Sequence, residues 1–330
     1  MTSPQEKEEK TLFILGGSGY IGTQILAQAQ LPPFNYAHIR ALSRTPETDT
    51  HLLSHGATPI RGDLTSLDTI TTEARGADAV IMLATAYIFG VTPSYDDVMS
   101  TDQSALSAIG AALSGTAKPL AIASGTLLAA PSPTGEETTE ESPLDPSPIN
   151  TRGKTDAFAL ALGQKLKFPV VSIRLAPYVY GRGGSGIGLF MAQAEKEGRV
   201  VTVNGGGNRT TVVHVDDAAH LFLLAVERHR KEGGGGGEVY NASADTTVTA
   251  GQIFGAVAGV LRVPVADVSG AEARAAGMDE TVLRFLTAEN RASGDKARRV
   301  LGWRPSGPGI LRDISQGSYC RGGTGWRGEN

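Results

Sequence analysis

Thr11-Leu12-Phe13-Ile14-Leu15-Gly16-Gly17-Ser18-Gly19-Tyr20-Ile21-Gly22 decides the fold. Thr11–Leu15 is a short apolar run that stops at glycine, the pattern of a buried parallel strand. From residue 20 to residue 30 the spacing turns helical, with Ile21, Ile25 and Leu26 on one side. The glycines between satisfy G-x-x-G-x-x-G through Gly16, Gly19 and Gly22, and G-x-G-x-x-G through Gly17. Glycine suits such a turn because the chain bends tightly, approaches a pyrophosphate closely and packs a helix on a strand. The amides that open the helix then face the anion. A plain structural turn explains many lone glycine motifs, but this one has a strand before it and a helix after. It predicts a dinucleotide site built from Gly16, Ser18, Gly19, Tyr20, Ile21 and Gly22.

Outward from this stretch the alternation continues. Ala37–Leu42, Thr58–Ile60, Ala77–Leu83, Pro119–Ala123 and Val170–Leu175 are predicted strands. Leu67–Arg75, Ser104–Leu113 and Thr155–Lys167 are predicted helices. Strand and helix in turn give a doubly wound parallel sheet with helices on both faces, an α/β fold. After about residue 180 the pattern changes. Gly181–Gly188 is a loop, Leu189–Lys196 a helix, and Val200–Val203 and Thr211–Val215 short strands. A helix over Asp216–Arg230 follows, with Asp216 or Asp217 as its N-cap. Val239–Asn241 is a strand, and Ala250–Leu261 and Asp279–Phe285 are helices. The run Gly233–Gly237 is predicted as a flexible surface loop. The segment from Pro131 to Pro148, proline-rich with an acidic middle, is predicted as a loop lying over something.

The 330 residues allow about two domains, or one large α/β unit. Hydrophobic residues at 40% and charged residues at 19% exclude a disordered acidic chain. With 34 acidic against 30 basic residues the formal charge is −4, so nucleic-acid binding is not expected. The longest mainly apolar run, Ala79–Phe89, is too short for a bilayer, which needs about 20 residues. The first ten residues are polar and carry no signal-peptide core. These features predict a soluble, cytoplasmic protein without a membrane partner. A single cysteine, Cys320, excludes an internal disulfide and a cysteine-built zinc site.

About 20 residues past the glycine motif, an NAD-binding chain places an acid for the ribose 2′-hydroxyl. Here the second strand ends Ala41-Leu42-Ser43-Arg44. Ser43 is no acid, and the arginine beside it can pair with a 2′-phosphate. The expectation is therefore NADP(H) over NAD, against the plainer reading of Arg44 as a solvated side chain. Asp63, followed by Leu64 after the third strand, could face the adenine amino group or simply cap the next helix. Other patterns fail. Gly153-Lys154-Thr155 looks like the end of a phosphate loop, but that pattern's first glycine would fall at Pro148. His51 and His55 lack the acid of H-E-x-x-H, so a solvated helix face is expected and no metal.

The ordered series GGSGYIG, ALSR, GDL, IMLAT, IASGT, RLAPYVYG, VHVDD, YNAS and LGWRP, over about residues 11–315, resembles the extended or atypical short-chain dehydrogenase/reductases, the NAD-dependent epimerase/dehydratase-like proteins. The resemblance implies a Rossmann domain over residues 10–180, with 208–232 returning to it. Segments 181–207 and 233–320 would then form a smaller substrate-binding domain, and 1–9 and 321–330 flexible tails. It adds Leu83, Ala84, Thr85 and Pro177 to the cofactor's surroundings, and a small-molecule substrate. A monomer or homodimer is expected.

Catalysis in the family rests on Ser or Thr with Tyr and Lys in Y-x-x-x-K. The tyrosine moves the proton, and the lysine holds the nicotinamide ribose and lowers the tyrosine pKa. The resemblance puts Ser124 and Thr126 at the serine position and Lys154 at the lysine. Four residues before Lys154 stands Asn150, which has no titratable proton near neutrality. Three readings stay open. Tyr87, Tyr178 or Tyr180 could replace the acid, with Tyr178 as the candidate, against the plainer reading that Tyr178 and Tyr180 only pack, in a segment that resembles the family's strand-to-loop stretch beside the nicotinamide. Water or the substrate could carry the proton, as in reduction of a cationic imine. Or the chain binds the dinucleotide without redox chemistry, as an isomerase, lyase, cyclase or sensor. The leading expectation is an NADP(H)-dependent oxidoreductase on a small carbonyl or imine. The resemblance also makes His214, Asp216 and Asp217 structural; Arg209 either matches a position where some sugar-nucleotide relatives hold phosphate or is a plain surface arginine.

Overall fold

The structure is a computed structural model and describes residues 9–87, 92, 94–233 and 236–320. From the N-terminus it alternates β1 (Thr11–Leu15), α1 (Tyr20–Ala29), β2 (His38–Ser43), α2 (Pro46–Ser54), β3 (Thr58–Arg61), α3 (Leu67–Gly76) and β4 (Ala79–Met82). Next come α4 (Met99–Leu113), β5 (Leu120–Gly125), α5 (Arg152–Leu166) and β6 (Pro169–Leu175). The later part holds β7 (Tyr178–Tyr180), α6 (Ser185–Glu197), β8 (Val200–Val203), β9 (Val212–His214), α7 (Val215–Glu232) and β10 (Gly236–Ala242). It ends with α8 (Ala250–Leu261), β11 (Val265–Val268), α9 (Gly270–Ala275), α10 (Glu280–Thr287), α11 (Asp295–Leu301) and α12 (Ile310–Gln316).

One parallel seven-stranded sheet runs in the order β10-β6-β5-β4-β1-β2-β3. The strand order reverses between β1 and β4, with Leu15 level with both Leu42 and Met82. Ligands in such sheets bind outside the strand ends at that reversal. Leu12 to Leu15 are fully buried, which is why this run carries no polar residue.

Contacts divide the chain into two compact units. The first comprises Met1–Ile122, Lys154–Ser172 and Phe222–Glu238; the second comprises Ala123–Gly153, Ile173–Leu221 and Val239–Asn330. The first unit's core gathers Phe13, Leu15, Ile70, Val80, Leu106 and Phe168. The second unit's core gathers Tyr178, Ile253, Phe254, Val257, Ile310 and Ile314. It also holds two small parallel pairs, β7 with β9 and β8 with β11.

The expected loop at Gly233–Gly237 needs correction. Gly236 and Gly237 open β10 and are not part of a loop; a Cβ at Gly237 would lie 2.8 Å from Leu160 Cδ2, so glycine lets the strand press on α5. Positions 234–235 lie outside the described residues. The 131–148 segment is a loop, but it is fastened at its middle. Thr138 is buried, its N–H donates to the Arg291 carbonyl at 3.0 Å, and its own carbonyl accepts from Ser293 N–H at 2.7 Å. The tails expected at 1–9 and 321–330 lie outside the described residues, apart from Glu9.

Candidate functional site

In the first unit the glycine loop spans the end of β1 and the start of α1. Gly16 adopts φ +93°, and a Cβ there would sit 2.9 Å from the Ala84 backbone nitrogen, so only glycine lets this turn touch the end of β4. A Cβ at Gly22 would run into the Gly16 carbonyl. Gly19 differs: it is exposed, and its Cβ would meet nothing closer than Gly16 O at 3.3 Å. It is also the N-cap of α1, and no side chain caps that helix. An uncapped helix N-terminus beside open space suits an anion. Ser18, Tyr20 and Ile21 are half-buried around it.

The other expected cofactor residues of this unit also lie at strand ends. Leu83 and Ala84 both donate their N–H groups to Leu15 O, at 2.9 and 3.1 Å. Ser43 is buried and spends its hydroxyl on Thr45 O, 3.3 Å away. Arg44 is exposed and makes no hydrogen bond or ion pair among the described residues. Asp63 accepts from Thr65 N–H at 2.8 Å and from its hydroxyl at 2.6 Å, and these bonds, with a smaller pull from Arg44, hold its carboxyl below the usual range. Leu64 packs in the core.

Thr85 leads to a residue absent from the sequence expectations. Asp102, on α4 and 2% exposed, accepts from Thr85 Oγ1 at 2.6 Å, Ala86 N–H at 2.8 Å and Tyr95 OH at 2.8 Å. It fixes the turn after β4 that backs onto Gly16. The one clue in sequence is an acid four residues before Leu106, on the apolar side of the helix. Lys154, on α5, reaches Asp96 at 3.4 Å; both side chains are about half exposed, so the pair contributes little stability.

The second unit holds the remaining candidates. Asn150 is exposed, and its Oδ1 accepts from Arg152 N–H at 3.0 Å, a turn leading into α5. Ser124 and Tyr178 are each 3% exposed, and neither hydroxyl has a hydrogen-bond partner among the described residues. Unpaired buried hydroxyls are costly and mark places where a ligand can supply the missing partner. Burial pushes the Tyr178 phenol well above its usual pKa, and its ring lies 5.2 Å from that of Phe285. Thr126 is also buried, but it donates to Asn290 Oδ1 at 3.0 Å. Tyr180 is committed as well, its hydroxyl donating to Pro308 O at 2.7 Å. Pro177 is half-buried beside Tyr178 in sequence.

His214 accepts Asp216 N–H at its Nδ1, while Asp217 takes the N–H groups of Ser306 and Gly307 at 2.9 Å each. Trp303 Nε1 donates to Asp217 O at 2.9 Å, so this stretch anchors the C-terminal LGWRP segment. A cavity of about 440 Å³ in this unit is lined by Phe190, Phe254, Met278 and Val282; none of the candidate site residues borders it. Among the described residues no group of three or more His, Cys, Asp or Glu could hold a metal. No helix among them is long and apolar enough to cross a membrane.

The strand order and the glycine loop at its reversal define a Rossmann-type α/β protein. The chain belongs to the NAD dependent epimerase/dehydratase family, whose model matches residues 12–243. An uncharacterized protein of Schizosaccharomyces pombe is 30% identical over 311 residues, 93% of this chain and 99% of the relative. One of Saccharomyces cerevisiae is 28% identical over 307 residues, 92% and 97%. Among solved structures, the dTDP-glucose 4,6-dehydratase DesIV of Streptomyces venezuelae, with NAD and TYD bound, has TM-score 0.70 at 20% identity, covering 92% of this chain and 95% of its own. MoeE5 in complex with UDP-glucose and NAD has TM-score 0.70 at 19% identity, covering 93% and 97%.

Proposed function

We propose that this chain is an NADP(H)-dependent oxidoreductase acting on a small organic carbonyl or imine. The observation that carries the reading is the open, uncapped start of α1 at Gly19, held by glycines on which any Cβ would collide. The residues present fit a nicotinamide dinucleotide, and two proteins of similar fold, DesIV and MoeE5, hold NAD. Gly16, Ser18, Gly19, Tyr20, Ile21 and Gly22 would hold the pyrophosphate, Asp63 and Leu64 would border the adenine, and Leu83, Ala84, Thr85 and Lys154 would line the nicotinamide half. Such a dinucleotide, when bound, gives or takes a hydride.

The chain's own residues do the rest. Lys154, cationic and exposed, pairs with ribose hydroxyls and favours an anion near it. Ser124 donates its unspent hydroxyl to a substrate oxygen. Tyr178 is the candidate proton donor, although its raised pKa makes it a sluggish acid near neutrality. That sluggishness, with Asn150 in place of tyrosine, supports a second reading: a non-redox isomerase, lyase or cyclase that keeps the dinucleotide to orient its substrate. We also propose residues 181–207 and 233–320 as the substrate side, and a monomer or homodimer. Consumption of NADPH against a panel of ketones, aldehydes and imines separates the two readings. Turnover without net cofactor oxidation supports the second.

Cofactor choice gives a narrower test. Arg44, exposed and without a hydrogen bond or ion pair among the described residues, follows the position where an NAD enzyme has an acid, so NADPH should bind about tenfold more tightly than NADH, or about 1.4 kcal/mol. Arg44→Ala should remove most of that difference. Equal titration curves for the two cofactors in the parent protein would exclude it.

A further inference from the structure

The second unit holds a cavity of about 440 Å³ that none of the candidate cofactor or catalytic residues borders. Close-packed protein interiors leave few voids larger than a water molecule, so a space of this size is not a packing accident. It falls within the roughly 300–1,000 Å³ that small-molecule sites occupy. Its walls come from several elements of that one unit. α6 supplies Phe190, β8 Val200, α8 Phe254, β11 Val268, and α10 both Val282 and Leu286. Phe190 and Phe254 meet edge to face, 5.2 Å between ring centres, and Val200, Phe254 and Leu286 are buried. Met278, half-buried on the turn between α9 and α10, adds a flexible thioether that can adapt to a bound shape. Val282 and Leu286, four apart, turn one side of α10 to the cavity. Phe285 instead packs on Tyr178, with ring centres 5.2 Å apart. The cavity is thus lined by a different side of α10 from the one that meets Tyr178.

The charged groups at the cavity's edge decide the chemistry of its ligand. Glu197 accepts from Gln193 Nε2 and lies 3.8 Å from Arg199 Nε. Glu272 Oε2 accepts the N–H and the hydroxyl of Ser269, each at 2.8 Å, in the capping box of α9. The cation and both carboxylates are therefore engaged within the protein. A charged ligand entering between the apolar walls would lose its water without gaining a dedicated counter-ion. An uncharged one gives up only apolar hydration, which favours entry.

We propose that this cavity is a binding site for an uncharged, mainly apolar organic molecule, a compact aromatic or alicyclic compound, held between α6, α8 and α10. The site stands independently of the redox reading, since no residue assigned to the cofactor or to proton transfer borders it. Fluorescence titration of the full chain with N-phenylnaphthylamine, uncharged and bright only in apolar surroundings, tests it. The parent protein should bind this probe saturably at micromolar concentration, with a single site per chain. Anilinonaphthalene sulfonate, close in shape but anionic, should bind at least about tenfold more weakly. Val282→Trp, which fills the cavity from α10, should weaken the uncharged probe by at least about tenfold without lowering the melting temperature, because the added ring enters empty space. Leu189→Ser, on the exposed side of α6, should leave the probe's affinity as it is. Should Val282→Trp fail to fold, Met278→Trp carries the same comparison. Absence of saturable binding by the parent overturns the proposal, as does sulfonate binding as tight as that of the uncharged probe. Undiminished affinity in the folded, filled variant overturns it too, and so does loss of the signal in Leu189→Ser, which would put the probe on the exposed surface.

Discussion

Full-length Gly19→Val is expected to lose dinucleotide binding by at least about a hundredfold, about 2.7 kcal/mol, while remaining folded. Gly19 has φ −75° and ψ 174°, extended backbone that valine adopts readily. Its Cβ would meet only Gly16 O, at 3.3 Å, and the position is exposed. The fold therefore gives up little beyond a poorer N-cap, at most about 1 kcal/mol. The branched side chain would instead stand over the first amides of α1, where the pyrophosphate would lie. Gly22→Ala is the contrasting control. Its Cβ would collide with Gly16 and sit 2.8 Å from Gly17 Cα, so stability should fall together with affinity. Fluorescence titration with NADPH and a thermal melt on both variants check this. Retained affinity in folded Gly19→Val would reduce the loop to a turn.

The difference between these two glycines shows what sequence could and could not carry. The motif fixes that glycines are needed, because an apolar strand, a glycine turn and a helical spacing are local patterns. It does not say which glycine guards the loop and which guards the ligand. That distinction comes from how the turn folds back on itself: a Cβ at Gly22 would strike Gly16 and Gly17, while one at Gly19 would meet only Gly16 O at 3.3 Å. Elements held by distant partners were equally hidden. β7 is only Tyr178–Tyr180 and exists because it pairs with Val212–His214. α11 is short and polar, and the chain beyond it is anchored by Trp303 on Asp217 O. Gly236–Gly237 had the composition of a linker, yet packing on Leu160 makes it strand. In the candidate site, Thr126 stands with Ser124 at the family's serine position, yet its hydroxyl is bound to Asn290, 164 residues away. Asp102 carries no motif beyond being an acid on the apolar side of its helix; its hydrogen bonds to Thr85, Ala86 and Tyr95 give it its place.

Asn150→Tyr is expected to raise carbonyl reduction by about 10²–10⁴-fold if position 150 corresponds to the family's tyrosine, since a placed general acid contributes about that much. The substitution sacrifices the Asn150 Oδ1 bond to Arg152 N–H, a loss of about 1 kcal/mol on the scale of helix caps, which a stable fold tolerates. A phenol there would need a lowered pKa to work near neutrality, and a nearby lysine is the ordinary way to lower it. Burial does the opposite at Tyr178, so Tyr178→Phe in the Asn150→Tyr background should leave the gain intact. Lys154→Ala is the necessary partner experiment. The Lys154–Asp96 pair is 3.4 Å long and about half exposed, so removing it should scarcely move the melting temperature. Any loss of NADPH affinity in Lys154→Ala then reports a lost ligand contact and not a damaged fold. Asn150→Tyr without gain, in a protein where Lys154→Ala does weaken NADPH binding, points to non-redox chemistry. If Lys154→Ala changes neither affinity nor turnover, the lysine lies outside the site and the family's catalytic arrangement does not apply to this chain.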